Sequence, residues 1–232
     1  MAVSVPAGGR GARGRRPDQL VGGRHGLTPE EVEASQRARI VAAMTIAVGD
    51  RGYHGVRVAD VVWHAGVSRK TFYELFEGKE DCFAAAYGRW IDRMLETAFD
   101  AFETQTEWPD QLRAAMTALL GALAREPAAA RLCFAEAVAV EGPVTETRER
   151  ALERLSRLFM PPDLPAGPIG DTLRSGRVRE LSETLRREIA AGRTESLPTI
   201  APEVMCAMVL PFLGVEAAQH ELDRRTAPAH TQ

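Results

Sequence analysis

Cysteine and long apolar runs are scarce in this chain of 232 residues, and each shortage excludes a class of protein. The three cysteines, Cys82, Cys133 and Cys206, stand far apart and form no CxxC pair, which excludes a disulfide framework and a zinc-binding pattern. We expect them to be buried free thiols rather than redox sensors. The longest apolar stretch, Val204–Val215, has twelve residues and contains a proline, so it is too short to span a bilayer as a helix.

Histidine is missing from the whole middle of the chain, since none occurs between His64 and His220. This absence gives little support to a catalytic base or a metal cluster, and we expect neither enzymatic activity nor a bound metal or cofactor. Residues 1–26 also lack the apolar core of a secretory signal. The expected location is therefore the cytoplasm.

Lysine is the third scarce residue, with only Lys70 and Lys79 among the 29 basic side chains. The formal net charge is −3, but it is distributed unevenly. Residues 1–80 hold 12 Lys and Arg against 9 Asp and Glu, whereas the remaining 152 residues hold 17 against 23. We therefore expect an anionic partner for the N-terminal end only.

Strand-like alternation and internal repeats are absent, and the apolar patterns that are present have the helical period, which predicts an all-α chain. Residues 1–26 are rich in glycine and arginine and predict a disordered arm. The first helix is expected to start at Pro29, because Thr28 can serve as its N-cap and Glu31 completes a capping box. It is expected to end at Gly49 and Gly52.

Two short helices follow, joined by a turn with the sequence AGV. The first has a buried side formed by Val58, Val61, Val62 and Ala65, and Ser68 can cap the second. Two helices of about eight residues joined by a tight glycine-containing turn predict a helix-turn-helix, whose second helix can enter a DNA major groove.

These N-terminal segments resemble the TetR family of transcriptional regulators. The similarity runs from about Leu27 to Tyr87 and rests on ASQRARIVAAM, RGYHGVRVADVVWHAGVS, RKTFYELF and GKEDCFAAAY. A weaker similarity near the C-terminus, AGRTESLPTIAPEVMCAMVLPFLGVEAA, resembles the last two helices of many members. The resemblance implies a three-helix DNA-binding domain over residues 27–78 and a larger helical domain for effector binding and dimerisation over residues 79–232.

The resemblance, together with side-chain chemistry, indicates which residues face DNA. Val67, Phe72 and Phe76 would anchor the second short helix, so that its polar side chains project outward to phosphates and base edges. Lys79 lies in the first turn of the next helix, where a cation is unfavourable for the helix dipole, and we expect its ammonium to meet the DNA backbone. The expected DNA-binding residues are Arg57, Val58, Ser68, Arg69, Lys70, Thr71, Tyr73 and Lys79.

Three positions depart from the family pattern, so the operator sequence cannot be carried over. Arg57 stands where threonine is usual and Lys70 where a small residue is common; both could add contacts to DNA. Glu74 stands where an aromatic residue or histidine is common, and it could accept from cytosine or pair with a nearby arginine. The arm arginines either reach the minor groove or only keep the tail soluble; they are Arg10, Arg13, Arg15 and Arg16.

The middle helices carry large apolar side chains that resemble the ligand-binding region of the family. Together they predict an apolar cavity for a small-molecule effector, lined by Trp90, Met94, Phe99, Phe102, Trp108, Met116, Leu120, Phe134 and Phe159. The last helix is apolar on every side, and we expect it to pair with a second copy because its own chain cannot cover it all. The expected dimerisation residues are Leu181, Leu185, Val204, Met208 and Phe212.

These features predict a homodimeric repressor that binds a palindromic double-stranded DNA operator through two recognition helices. An apolar effector would favour a conformation in which those helices are wrongly spaced for DNA. Two alternatives stay open. One is an activator of the same fold, and the other is a helical-bundle enzyme or small-molecule carrier with an incidental helix-turn-helix.

Overall fold

The structure is a computed structural model that describes residues 28–140, 142–161 and 167–224, and all regular structure within these ranges is helical, as predicted. The expected arm over residues 1–26, with its four arginines, lies outside the described residues. The α-helices are α1 (Pro29–Gly55), α2 (Val58–Ala65), α3 (Arg69–Leu75), α4 (Lys79–Glu103), α5 (Trp108–Arg125), α6 (Pro127–Ala130), α7 (Pro143–Ser156), α8 (Pro168–Ala190) and α9 (Ala201–Asp223). A π-helix, Arg131–Glu136, follows α6, and short 3-10 helices cover Ala137–Ala139, Arg157–Phe159 and Thr194–Ile200.

The start of α1 confirms the predicted capping box. The Thr28 hydroxyl accepts from the Glu31 N–H at 3.2 Å, and the Glu31 carboxylate accepts from the Thr28 N–H at 2.7 Å. The predicted end of this helix is confirmed at Gly52, where φ is 72° and the backbone leaves helical geometry; a further helical stretch after this kink carries α1 to Gly55. Glycine adopts this left-handed conformation without the strain that a Cβ would add.

Helices α1, α2 and α3 pack around apolar side chains that form one end of the larger core. Ile40, Met44, Val61 and Phe72 are all fully buried. Gly66, with φ of 65°, ends α2 in the left-handed conformation typical of a helix C-cap, and the turn that follows leads into α3. The predicted helix-turn-helix over these two helices is therefore present.

The remaining helices form a bundle in which α4 and α5 pack along each other and α9 packs against α5. Helix α9 is kinked at Gly214, where φ is 80°. Its last turn is nevertheless held to α5, because the Arg113 guanidinium pairs with the buried carboxylate of Glu221, with an Nε–Oε2 distance of 2.9 Å. This pair fixes the chain end of the described helix onto the bundle core.

Candidate functional site

The recognition helix α3 is anchored by its apolar side. Phe72 is fully buried, and Phe76, just past the end of the helix, is also buried, as predicted. Val67 is half-buried against the same core, and Leu75, which was not singled out from the sequence, is a further anchor. The opposite side of α3 is consequently free to face a ligand.

That opposite side carries the expected polar residues. Arg69, Lys70 and Tyr73 are exposed, and Ser68 caps the helix by accepting from the Thr71 N–H at 2.9 Å. The two hydroxyl oxygens of Ser68 and Thr71 also lie 2.9 Å apart. Two cations and a phenol therefore stand together on one solvated face at the start of a helix, which is suited to an anionic partner.

Glu74 has its partner on the same helix. Its Oε1 lies 3.5 Å from the Lys70 Nζ, one turn away. The Lys70 side chain is 85% exposed, and such a surface pair contributes about 0–1 kcal/mol. Lys70 is therefore held over the helix surface by Glu74, but it can leave Glu74 for a stronger anion at little cost in free energy.

The start of α2 presents Arg57 to solvent. The Arg57 N–H donates to the Asp60 Oδ2 at 3.0 Å, and Arg51 pairs with the other carboxylate oxygen at 3.0 Å. The first of these contacts, supported by the second, holds the pKa of Asp60 below its usual range. Val58, in contrast, is half-buried and packs on the core, which leaves it little surface for DNA.

Three cations bind carbonyls at the ends of α1, α2 and α3. Arg37 on α1 donates to the Leu75 carbonyl at the end of α3 at 2.8 Å, and Arg39 donates to the Ala65 carbonyl at the end of α2 at 3.1 Å. Carbonyls at a helix C-terminus lack partners within the helix and carry partial negative charge, so cations stabilise them. These contacts fix α2 and α3 to α1.

The third of these cations is Lys79, which has partners within its own chain. Its Nζ donates to the Tyr53 carbonyl at 3.1 Å and to the Val56 carbonyl at 3.3 Å, and it lies 4.0 Å from the centre of the Tyr53 ring. The carbonyls at the end of α1 offset its unfavourable position at the start of α4. The DNA phosphate expected from the sequence stays a prediction.

We expect Lys79→Met to reduce stability more than it changes DNA binding. Loss of two charge-assisted hydrogen bonds should lower the free energy of unfolding by about 1–3 kcal/mol. The slope of log affinity against log salt should change by clearly less than the ~0.9 expected for one lost phosphate contact. Lys70→Met is the matched control, since it should leave thermal unfolding unchanged. If Lys79→Met leaves the melting temperature unchanged but reduces the slope of log affinity against log salt by a full unit, Lys79 contacts a DNA phosphate.

A cavity of about 280 Å³ lies among α4, α5, the π-helix, α7 and α8. Its wall is almost wholly apolar and consists of Tyr87, Ile91, Met94, Leu95, Leu119, Cys133, Phe134, Val138, Ala151, Leu152, Leu155 and Leu185. A second cavity of about 380 Å³ shares Leu152, Arg179 and Ser182 with the first. The bundle therefore has room for an apolar molecule, and this room extends along the contact between α7 and α8.

The polar atoms of the first cavity are mostly cationic. Arg148, Arg179 and Arg186 contribute to its lining, with Ser182 and Glu183. Arg186 and Glu183 form a two-pronged ion pair at 2.9 and 2.7 Å, and the hydrogen bond from this arginine lowers the pKa of Glu183. Arg179 pairs with no carboxylate among the residues that the structure describes. The cavity thus combines an apolar wall with uncompensated positive charge.

Most of the residues expected to line an effector cavity do not line this one. Met94 and Phe134 do, whereas Trp90, Phe99, Phe102, Trp108, Met116, Leu120 and Phe159 pack in or against the core. The two tryptophans show why: the Trp90 Nε1–H donates to the Thr45 hydroxyl at 3.0 Å, and the Trp108 Nε1–H donates to the Leu158 carbonyl at 3.1 Å. Helical spacing identifies apolar side chains, but it does not separate a filled core from a cavity wall.

The expected dimerisation residues are also placed differently. Leu181, Leu185, Val204 and Met208 are all buried within a single chain, with Met208 only 2% exposed. Phe212 is half-buried and packs edge-on against Trp108, with ring centres 5.5 Å apart. These side chains already have partners in their own chain, so they offer little area to a second copy. The apolar surface of α9 lies elsewhere, at Leu210, Leu213 and Val215.

Cys82 and Cys133 are arranged as unreactive thiols. Cys82 and Cys133 are buried and Cys206 is half-buried. Burial raises the pKa of Cys82 to about 12 and also raises that of Cys133. Both thiols therefore stay protonated at neutral pH and are poor nucleophiles. No cluster of three metal-ligating side chains occurs within residues 28–140, 142–161 and 167–224.

Comparisons with known proteins match the part of the chain that carries the polar face of α3. The family profile described as bacterial regulatory proteins, tetR family, matches residues 40–86. The HTH-type transcriptional activator FasR of Mycolicibacterium smegmatis is 28% identical over 99 residues, 43% of this chain and 45% of FasR. The match thus spans just under half the length of that relative.

Solved structures match over a larger part of the chain. The fatty acid degradation regulator FadR from Bacillus halodurans has a TM-score of 0.66 at 17% identity, covering 78% of this chain and 97% of that one. FadR from Bacillus subtilis, solved in complex with stearoyl-CoA, has a TM-score of 0.63 at 16% identity, covering 74% and 97%. At these identities the likeness shows the fold.

The fold and the site together indicate the class of protein. A helix-turn-helix domain is joined to a larger helical bundle, as in DNA-binding regulators. The family profile falls on α1 to α4 of this arrangement, and the bundle has the fold of solved transcriptional regulators. Over residues 40–86 the chain matches the tetR family of bacterial regulatory proteins.

Proposed function

We propose that the protein is a dimeric, effector-controlled transcriptional regulator that binds a palindromic DNA operator in the cytoplasm. The single observation that carries this proposal is the polar face of α3, where Arg69, Lys70 and Tyr73 project from a helix anchored by Phe72 and Phe76. Arginine and lysine donate to guanine in the major groove, and tyrosine suits a phosphate. Residues 27–78 would form the DNA-binding part and residues 79–232 the effector-binding and dimerisation part.

Binding to the DNA upstream of the protein's own gene tests this proposal. We expect a footprint with two-fold symmetry and half-sites about one helical turn, or a multiple of it, apart. Affinity should fall steeply and linearly on a log–log plot against salt concentration. Absence of any salt-dependent binding to this region or to total genomic fragments would favour a carrier or an enzyme with the same bundle.

The dimer is supported by the exposed apolar surface of α9. The segment Thr194–Asp223 is long and apolar enough to cross a membrane by length and composition, and 22% of its most apolar window is buried within one chain. Helix α9 is interrupted by Pro211 and kinked at Gly214, and its last turn is pinned to α5 by the pair of Arg113 and Glu221. A second copy of the chain suits this kinked surface better than a bilayer does, because lipid leaves freed backbone groups unsatisfied.

The effector that we propose has an apolar body and an anionic end. The apolar cavity wall would take the body, and Arg148, Arg179 and Arg186 would take the charge. Stearoyl-CoA, which FadR from Bacillus subtilis binds, is one molecule with this chemistry. The sequence prediction of an apolar effector is thereby made more specific.

Two fluorescent dyes with the same ring system separate the two parts of this proposal. We expect 8-anilinonaphthalene-1-sulfonate, which is anionic, to bind the cavity and to weaken operator binding. Arg179→Ala should weaken binding of this dye about tenfold or more, because a hydrogen bond to a charged group contributes about 1.5–3 kcal/mol. Binding of N-phenyl-1-naphthylamine, which lacks the sulfonate, should be unchanged. Equal losses for both dyes would contradict a role for the arginine charge.

We propose repression as the mode of regulation, and activation is the second candidate. The relative FasR is described as a transcriptional activator, which favours the alternative that the sequence also allows. Operator position relative to the promoter decides between them. A reporter gene fused to the bound promoter should rise on deletion of a repressor and fall on deletion of an activator.

A further inference from the structure

Residues 127–138, here called the bridging segment, lie between the cavity and the DNA-binding helices. The segment includes α6 and the π-helix. On one side, Cys133, Phe134 and Val138 form part of the cavity wall. On the other side, α6 and the π-helix both pack on α1. One short stretch of backbone therefore touches both the proposed effector site and the scaffold of the proposed DNA site.

The contact between the bridging segment and α1 is unusually close. A Cβ added to Gly49 would lie 2.6 Å from the Ala128 Cβ, a distance that atoms in real structures do not adopt. A Cβ added to Gly52 would lie 3.1 and 3.2 Å from the two carboxylate oxygens of Glu136. Gly49 is thus required for the two backbones to approach, and a side chain at Gly52 would press on the Glu136 carboxylate, so a displacement of one segment is felt by the other.

Glu136 joins the two segments by a hydrogen bond. Its Oε2 accepts from the Tyr53 N–H at 2.8 Å, and its Oε1 accepts from the Arg131 Nε–H at 3.2 Å. The kink at Gly52 takes α1 out of helical geometry immediately before Tyr53, and the carboxylate takes up this amide. The Glu136 side chain is only 17% exposed, so the bond is largely shielded from water.

Tyr53 connects Glu136 to the DNA-binding helices. Its carbonyl accepts from Lys79 at the start of α4, and its ring packs edge-on against Phe83 with centres 4.9 Å apart. Lys79 also holds the Val56 carbonyl, two residues before α2 begins. The end of α1, the start of α4 and the entry to α2 therefore meet at the residue that Glu136 holds.

We propose that Glu136 is a positioning residue that couples occupancy of the cavity to the placement of α2 and α3, an inference that rests on the proposed function. A π-helix has one more residue in each hydrogen-bonded turn than an α-helix and often marks a functional site, where it can change its register. An occupant that displaces Phe134 alters this turn and withdraws the Glu136 carboxylate from the Tyr53 amide. The end of α1 is then no longer held by this hydrogen bond, and the two recognition helices of a dimer change their spacing.

A cavity-filling substitution tests the coupling without any ligand. Ala151→Phe places a ring in the cavity, and Leu152→Phe is a second variant should the first fold poorly. Amide hydrogen exchange is measured for the Tyr53 N–H and its neighbours, in parallel with operator affinity. We expect filling of the cavity to speed exchange of the Tyr53 amide at least tenfold and to weaken operator binding. No change in exchange in either variant would overturn the proposal.

Variants at Glu136 show whether the carboxylate carries the coupling. In a Glu136→Ala background the Tyr53 amide should already exchange fast, and filling the cavity should speed it no further. Glu136→Gln keeps an acceptor and should restore protection, whereas Glu136→Leu, which is of similar size but has no acceptor, should not; equal protection in both variants would indicate a merely steric role. Glu126→Ala removes an exposed glutamate just before α6 and is the matched control, expected to behave as the wild type. Additive effects of cavity filling and Glu136→Ala would overturn the proposal.

The two readouts distinguish failure of the coupling from failure of the proposed function. If filling the cavity speeds exchange at Tyr53 through Glu136 but operator affinity stays constant, the coupling stands and effector control of DNA binding is wrong. If operator affinity falls while exchange at Tyr53 is unchanged, control by the cavity stands and Glu136 does not transmit it.

Discussion

Arg69→Ala and Lys70→Ala are each expected to weaken operator binding by about 5- to 150-fold, since a good base contact contributes about 1–3 kcal/mol. Binding to scrambled duplexes should fall much less, because those complexes depend on phosphate contacts. Both side chains project away from Phe72 and Phe76, so the fold should be unaffected. Titrations with operator and scrambled DNA at several salt concentrations measure the ratio, and circular dichroism checks the fold.

Arg89→Ala is the matched control for these variants, because Arg89 is an exposed arginine on α4 rather than on α3. It should leave the ratio of operator to scrambled affinity unchanged. Glu74→Ala frees Lys70 from its partner at 3.5 Å and should strengthen binding to all sequences slightly. If neither Arg69→Ala nor Lys70→Ala reduces the ratio of operator affinity to scrambled-DNA affinity, the base-reading face has been assigned to the wrong side chains.

The largest loss of function is expected from the double variant Leu210→Arg, Leu213→Arg. Each of these leucines is 44% exposed, and with Cys206 they follow one face of α9 at helical spacing. Two arginines on this face should prevent pairing with a second copy, because a buried unpaired charge is strongly unfavourable. A monomer loses the second half-site, and operator affinity should fall by about 10²- to 10⁴-fold.

Analytical ultracentrifugation and operator titration measure these two effects separately. Ile169→Arg is the control, since Ile169 is an exposed apolar residue at the start of α8 and outside this face. Met208→Arg would not serve as a test, because arginine at that buried position should unfold the chain rather than separate two copies. A dimer that survives the double substitution would place the interface on another surface.

Features that depend on local sequence were predicted well. The capping box at Thr28 and Glu31, the Ser68 cap and the buried side of α3 all follow from residues within one or two helical turns. The exposed positions of Arg69, Lys70 and Tyr73 follow from the same helical period.

Features that depend on distant residues were missed or placed wrongly. Arg37 meets its carbonyl 38 residues away, and Glu136 meets Tyr53 83 residues away, and no spacing in the sequence signals either contact. The carbonyl partners of Lys79 at the end of α1 lie 26 and 23 residues away and could not be foreseen either. The same limit applies to Met208: α9 is apolar on several sides, and only its packing against the rest of the chain decides which side is buried.

The double role of α1 has a consequence for how the chain folds. Its apolar face belongs to the core of the DNA-binding helices, while Gly49 and Gly52 pack against Ala128 and Glu136 of the bundle. A fragment that ended at residue 78 would keep the helix-turn-helix but would lose Lys79 and every contact with the bridging segment. The boundary at Gly78 therefore separates the proposed DNA-binding part from the proposed effector-binding part, but it does not separate two units that fold independently. The recognition helix derives part of its stability from residues that are translated later.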